Sequence, residues 1–265
     1  MLKKKIFFID LDGTLLDVGF GISASMSKKN EKAVVEASQK NIIVISTGRK
    51  YSKKVEEIAK KTQAKYVACL NGSYILNPIN NQILKEEIIQ NYLVKDIFKI
   101  ARKQKISFST DNAKHLFGQG LQNQILAFIT SFKSFQYQDF KTENAHKILI
   151  MSISKKKIVK TFYEIKKKYK GVVSLALVAK GRAIEITNKN ATKGEVVKFI
   201  ANLENFDLEN TIHIGDSMND ASTKNIVGTL IALKSGSKNL KKIANKIGPK
   251  SKPAGVAKIL RKESD

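Results

Sequence analysis

The chain has very little cysteine, arginine or acidic charge, and no long apolar run. Its single cysteine, Cys69, excludes an internal disulfide. That residue sits in Tyr66-Val67-Ala68-Cys69-Leu70, where it reads as a small buried hydrophobe, and a reducing, cytoplasmic setting is expected. No stretch long enough to span a bilayer is free of charge, so no membrane partner is expected. Lys3-Lys4-Lys5 ahead of apolar residues imitates a secretory leader. The apolar part ends after four residues at Asp10, too short for that role, and is read as mature structure. No internal repeat and no low-complexity linker is visible.

Acids are outnumbered: 48 Lys and Arg against 23 Asp and Glu give a net charge of +25. Such a balance raises the possibility of nucleic acid as partner. Arginine, however, occurs only at Arg49, Arg102, Arg182 and Arg261, and the lysines are spread along the whole chain. Base and phosphate recognition favours the guanidinium fork, so nucleic acid is disfavoured as the main partner. A positive field would still gather anionic small molecules such as phosphate esters.

At 265 residues the chain can bury a full core and form two lobes. Its organising stretch is Ile6-Phe7-Phe8-Ile9 running into Asp10-Leu11-Asp12-Gly13-Thr14. A continuous apolar run ending in a turn predicts a strand buried on both faces of a parallel sheet. Open α/β sheets place ligands at such C-terminal strand edges. Asp12-Gly13 by itself could be an ordinary acidic turn. The same pattern recurs in Ile42-Ile43-Val44-Ile45 before Ser46-Thr47-Gly48-Arg49. It returns in Tyr66 to Leu70 before Asn71-Gly72, and in Thr211-Ile212-His213-Ile214 before Gly215-Asp216-Ser217-Met218-Asn219-Asp220. Helices are expected near 28–40, 53–61, 192–203, 237–244 and 254–262. The fold class is therefore α/β, a doubly wound, Rossmann-like parallel sheet. A hairpin at 73–84 leads into a block of different rhythm, an inserted α+β cap. The expected domains are 1–84 with 187–265 as core and 85–186 as cap.

Such a core would collect Asp10, Asp12, Thr47 and Asp216 at one edge, with Asn219 and Asp220 nearby. Hard oxygen ligands with few carboxylates suit Mg²⁺. His115, His146 and His213 are scattered and read as structural or surface residues. Thr192-Lys193-Gly194-Glu195 matches a capping box. It leaves Lys193 at the first helical position, where the helix dipole disfavours a cation unless an anion lies close by. A solvated surface lysine is the alternative.

Taken together, Asp10-Leu11-Asp12-Gly13-Thr14-Leu15-Leu16, Ser46-Thr47-Gly48-Arg49, Asn71-Gly72, Thr192-Lys193-Gly194, Gly215-Asp216-Ser217-Met218-Asn219-Asp220 and the closing Gly255-Val256-Ala257 resemble the haloacid dehalogenase superfamily of phosphatases. The resemblance is to the Cof-type hydrolases with a large α/β cap. It implies a phosphoric monoester hydrolase in which Asp10 attacks phosphorus to give an aspartyl-phosphate, and Asp12 acts as acid and then base. It implies Mg²⁺ held by Asp10, Asp216 and the Asp12 carbonyl, with Asn219 and Asp220 completing or orienting the metal shell. Thr47 and Lys193 would hold the phosphoryl group, with Gly48, Arg49 and Asn71 near substrate. Arg49 could equally form an ion pair, and Asn71-Gly72 could be turn chemistry. Substrates would be small phosphorylated metabolites: sugar phosphates, or cofactors such as pyridoxal phosphate or flavin mononucleotide. The cap would close over the site, with Phe117, Phe128, Phe132 and Phe135 in its own core. Lys50, where the family often has proline, and the polar Ser222-Thr223-Lys224 depart from the pattern without removing a catalytic residue. Competing readings are a phosphomutase of the same superfamily, a phospho-accepting receiver domain and a lysine-rich nucleic-acid binder.

Overall fold

A computed structural model describes residues 4–19, 21–110 and 114–264, so Lys3 of the basic N-terminal run lies outside it. The chain divides into two compact units, Met1–Glu86 with Thr192–Asp265, and Glu87–Ala191.

The first unit opens with β1 (Ile6–Ile9), α1 (Lys28–Ser38), β2 (Ile42–Ser46), α2 (Lys53–Lys61) and β3 (Tyr66–Cys69). The hairpin strands β4 (Tyr74–Leu76) and β5 (Ile83–Glu86) follow. Every residue of β1, β2 and β3 is buried, as continuous apolar runs between two helical layers require. The helices start where the sequence supplies caps: Ser27 accepts the amide of Asn30, and Ser52 that of Val55. In α2 the buried side chains are Val55, Ile58 and Ala59, and Lys60 and Lys61 in the last turn suit its dipole.

The second unit contains α3 (Asn91–Lys103), β6 (Ser107–Thr110), β7 (His115–Gly118), α4 (Gly120–Thr130) and β8 (Lys133–Gln136). It continues with β9 (Lys147–Met151), α5 (Lys155–Lys168), β10 (Val173–Val178) and β11 (Ala183–Asn188). Its six-stranded sheet has the order β10-β11-β9-β6-β7-β8. Ile148, Ile150, Ile184 and Ile186 pack with side chains of α3 and α5 in one core. Leu116, Met151 and Ala183 pack with Ala127 of α4 in another. Sheet bonding runs through Glu86 in β5 and Asn188 in β11. The unit boundaries therefore fall at 86/87 and 191/192, where the sequence pattern suggested 84/85 and 186/187. Phe117 is buried and Phe132 and Phe135 pack at the core margins, but Phe128 is 87% exposed. In α4 the pattern is inverted: Asn123 points inward and bonds to Leu116 O and Ser107 Oγ, while Leu121, Ile125, Phe128 and Ile129 face outward.

The chain then returns to the first unit with α6 (Lys193–Leu203), β12 (Thr211–Gly215), β13 (Thr229–Leu233), α7 (Lys238–Ile243), β14 (Lys246–Gly248) and α8 (Gly255–Glu263). The eight-stranded sheet has the order β14-β13-β12-β1-β2-β3-β4-β5. Strands β14 to β3 are parallel and the hairpin is antiparallel. Side chains of α1, α2 and α8 cover one face and those of α6 and α7 the other. This is a doubly wound, Rossmann-like core. The chain winds outward in both directions from β1, so the carboxyl end of β1 is the switch point where such sheets open a crevice. Cys69 is fully buried and its thiol is pushed up to about 12 by burial, in keeping with a packing role. Among the described residues no helix is long and apolar enough to cross a membrane.

Candidate active site

Register brings the functional residues together. Ile9 of β1 pairs with Ile45 of β2 and with Ile214 of β12. The residues just past these positions are Asp10, Ser46-Thr47 and Gly215-Asp216, so three strand exits share one edge. The Asp10 amide still bonds to Ile214 O at 3.0 Å, which holds the strand straight to its last residue.

One carboxylate oxygen from each of Asp10, Asp216 and Asp220 lies within 4.8 Å of the others. Lys193, at the first position of α6 behind its Thr192 cap, reaches into this group. Its Nζ is 2.7 Å from Asp10 Oδ1 and 2.6 Å from Asp220 Oδ1. Its side chain is fully buried. The surface-lysine alternative is thereby removed: the cation that the helix dipole disfavours is held by two carboxylates. Burial alone would lower the basicity of this amine, but Asp10 and Asp220 outweigh it and raise it above its ordinary range.

The two carboxylates differ. Asp220 is saturated: Oδ1 faces Lys193 and His213 Nε2 at 2.8 Å, and Oδ2 accepts the amides of Asp216 and Ser217 at 3.0 and 2.9 Å. Burial opposes its charge, but Lys193 and His213 outweigh that and hold it below the usual carboxylate range. Asp10 has Lys193 alone on Oδ1, and Oδ2 accepts no hydrogen bond among the described residues. Burial dominates there, opposed by Lys193 and reinforced by Asp220, and pushes Asp10 up to about 7. Asp216 is raised to about 6 by burial and then by Asp220.

Gly13 sets the approach of Asp216. Its φ is +75°, and a Cβ there would lie 2.4 Å from Asp216 Oδ2. Gly194 is equally constrained, since a Cβ would meet Ser222 O at 2.2 Å. The polar Ser222-Thr223 pair that departs from the family pattern has local work. Ser222 Oγ accepts the Gly194 amide and donates to Asn219 O, and Thr223 Oγ1 donates to Asp220 O.

The remaining predicted residues form a second group. Thr47 is fully buried, and its Oγ1 accepts the Arg49 amide at 3.1 Å. Asn71 adopts a left-handed φ of 61°; its amide bonds to Thr47 O and its Oδ1 accepts Asn219 Nδ2 at 3.0 Å. Asn219 Oδ1 in turn accepts Ser217 Oγ at 2.6 Å. Gly48 lies against the Asn71 amide, with 3.2 Å between a built Cβ and Oδ1. Arg49 grips Asp12 with Nε–Oδ2 of 2.7 Å and Nη2–Oδ1 of 2.5 Å, and its Nη2 also donates to Gly21 O. The Asp12 carboxylate is thus turned to Arg49. Two partners went unread in the sequence: His213, which looked like a strand residue, and the Arg49–Asp12 pair, which joins positions 37 residues apart.

The donor set fits a hard divalent cation. It is all oxygen, and three carboxylates against one ammonium leave two negative charges unbalanced. Each oxygen of Asp220 already accepts two hydrogen bonds, so Asp10 and Asp216 are the side chains with oxygens left to hold an ion. Gly13→Ala is expected to displace Asp216 and weaken divalent-cation binding roughly tenfold or more, about 1.4 kcal/mol. The measurement is the divalent-cation concentration needed to raise the melting temperature. An unchanged cation dependence would contradict the placement of Asp216.

The family model for haloacid dehalogenase-like hydrolases matches residues 7–260. Phosphatase YwpJ of Bacillus subtilis is 24% identical over 294 residues, covering 97% of this chain and 99% of that protein. A haloacid dehalogenase-like hydrolase from Bacteroides thetaiotaomicron superposes with a TM-score of 0.78 at 20% identity, over 98% of this chain and 99% of that one. The subclass IIB sugar phosphatase BT4131 does so with a TM-score of 0.76 at 17% identity, over 98% of both. The structural likenesses establish the fold, and the family model covers it almost from end to end: the chain belongs to the haloacid dehalogenase-like hydrolases, among the Cof-type enzymes.

Proposed function

We propose that this enzyme is a Mg²⁺-dependent phosphatase that hydrolyses small phosphorylated metabolites through an aspartyl-phosphate on Asp10. The observation that carries the reading is the asymmetry of Asp10. One oxygen is fixed by a buried lysine, and among the described residues the other accepts no hydrogen bond at the switch point of the sheet. The phosphatase names among the relatives support the reaction class, and the sugar phosphatase of similar fold makes sugar phosphates the first substrates to try.

Asp10 Oδ2 attacks phosphorus as the bond to the ester oxygen breaks, and Asp12 delivers a proton to the departing alkoxide. Asp12, now a carboxylate, takes a proton from water; that water attacks phosphorus and Asp10 leaves, regenerating the enzyme and freeing phosphate. A Mg²⁺ ion held by Asp10, Asp216 and the Asp12 carbonyl would neutralise the phosphoryl oxygens. Lys193 supplies fixed positive charge beside Asp10, and Thr47 supplies a hydroxyl at the neighbouring strand exit. Asp220 and Asn219 act as orienting residues, since their polar atoms are already bonded to Lys193, Asn71 and the loop.

Arg49 has a double part. Its fork holds both oxygens of the Asp12 carboxylate while the two are paired. An incoming phosphate ester competes for the guanidinium, so substrate binding releases Asp12 to carry a proton. Gly48 and Asn71 shape the adjoining turn.

The test is a phosphate-release screen over sugar phosphates and phosphorylated cofactors, with Mg²⁺ and with a chelator. Release that requires Mg²⁺ is expected. Isomerised sugar phosphate without free phosphate would make the enzyme a mutase, and a phospho-aspartate that persists without turnover would make it a receiver-like domain.

A further inference from the structure

His213 is a buried titratable group close to this edge that the reaction above leaves unused. It lies in β12, in register with Phe8 on one side and Leu230 on the other, and both of those side chains belong to the core formed with α6. An apolar residue would suit the position. The imidazole is fully buried, and its Nδ1 has no hydrogen-bond partner among the described residues. A buried acceptor without a donor opposes folding. Packing therefore gives no reason for a histidine here.

The other nitrogen gives one. Nε2 is 2.8 Å from Asp220 Oδ1, the same oxygen that accepts Lys193 Nζ at 2.6 Å. A carboxylate only accepts, so Nε2 carries the hydrogen and the bare Nδ1 is the neutral ring's lone pair. Burial lowers the ring's basicity, against the opposing pull of Asp220.

We propose that His213 is a positioning residue for Lys193, acting through Asp220. Its N–H satisfies part of the demand of Asp220 Oδ1. The Lys193 ammonium then bridges, with its second bond at 2.7 Å to Asp10. Without that N–H, Lys193 is the sole donor to Oδ1 and is drawn toward Asp220, away from Asp10 and from a phosphoryl group beside it. The histidine thus divides one lysine between two carboxylates. The catalytic consequence rests on the phosphatase reading; the hydrogen bond and its effect on Lys193 do not.

The test compares His213→Leu, which removes the donor, with His213→Gln, whose amide Nε2 restores one. For His213→Leu we expect kcat to fall roughly tenfold with KM within about threefold of wild type. Its melting temperature should change little, since losing the hydrogen bond to Asp220 is offset by removing the unpartnered Nδ1. His213→Gln should recover most of the lost kcat. A wild-type kcat in His213→Leu overturns the proposal. So does a loss that tracks lowered stability and is not rescued by glutamine. Nitrogen NMR gives a readout free of turnover. The wild-type ring should be the Nε2–H tautomer, and the Lys193 ammonium resonance should shift in His213→Leu and return in His213→Gln. An Nδ1–H ring, or an unmoved ammonium, overturns the proposal even if no ester is hydrolysed. Absence of phosphate release from the wild type would instead count against the phosphatase reading alone.

Discussion

Asp10→Asn is expected to reduce phosphate release roughly a thousandfold or more. The side chain keeps its shape, and its amide oxygen can still accept from Lys193, so the surroundings need not move. What is lost is the anionic carboxylate that would attack phosphorus and bind the cation. The fold should not suffer. Asp10 is buried and raised to about 7, above the ordinary 3.8 of an aspartate. For an acid with a raised folded-state pKa, stability is fullest below the unfolded value and is lost as pH climbs toward the folded one. Metal-free Asp10→Asn should therefore melt at or above the wild-type temperature at pH 7.5 and level with it near pH 4. Phosphate release at the wild-type rate would remove Asp10 as nucleophile. A collapsed melting temperature at pH 7.5 would show that its charge stabilises the fold.

Lys193→Met should have the opposite signature, inactive and unstable. Methionine fills the same unbranched volume without the charge. Asp10 and Asp220 are then left buried without their ammonium, and breaking such a pair from one side costs about 3–5 kcal/mol. In a chain of this size that corresponds to a drop on the order of 10 °C in melting temperature. The pH dependence identifies the cause. Both carboxylates lose the partner that favours their charged form, so Asp220 rises from its lowered position and Asp10 is pushed further above its ordinary value. The deficit should be large at pH 7.5 and shrink as pH falls toward 4. Adding Asp10→Asn to Lys193→Met removes one of the stranded charges and should return part of the stability. A deficit equal at both pH values, or unrelieved in the double variant, would mean that lost packing and not lost charge is responsible.

The core was legible because its strands are buried on both faces. Ile6–Ile9 and Ile42–Ser46 leave no polar side for an alternative reading, and their exits mark the site directly. Lys193 was legible because it breaks a local rule of helix electrostatics, and the structure shows what compensates it. The division of labour between Asp216 and Asp220 was not. They stand four residues apart in one loop, and only the folded loop shows that the backbone amides of 216 and 217 fill Asp220 Oδ2. The Arg49–Asp12 pair was hidden for a related reason. A long guanidinium side chain has many possible partners, and only the turn geometry past β1 and β2 selects one. The inserted unit was least legible. Its strands β6, β7 and β8 are four residues each, and α4 carries Leu121, Ile125, Phe128 and Ile129 on the side away from its own core. Hydrophobic periodicity cannot reveal which way such a helix faces.

The burial of Lys193 divides the amines of this protein into two chemical classes. Of the 48 basic residues only four are arginine, so amine-directed reagents have a very large target on this chain. The one ammonium placed beside Asp10 is fully enclosed and held by two carboxylates. Acylation under native conditions therefore strips charge from the exterior while the amine at the site is shielded. The contribution of the positive exterior to the capture of anionic esters becomes a quantity that a bottle of anhydride can titrate, with the nucleophile and its lysine left as they were.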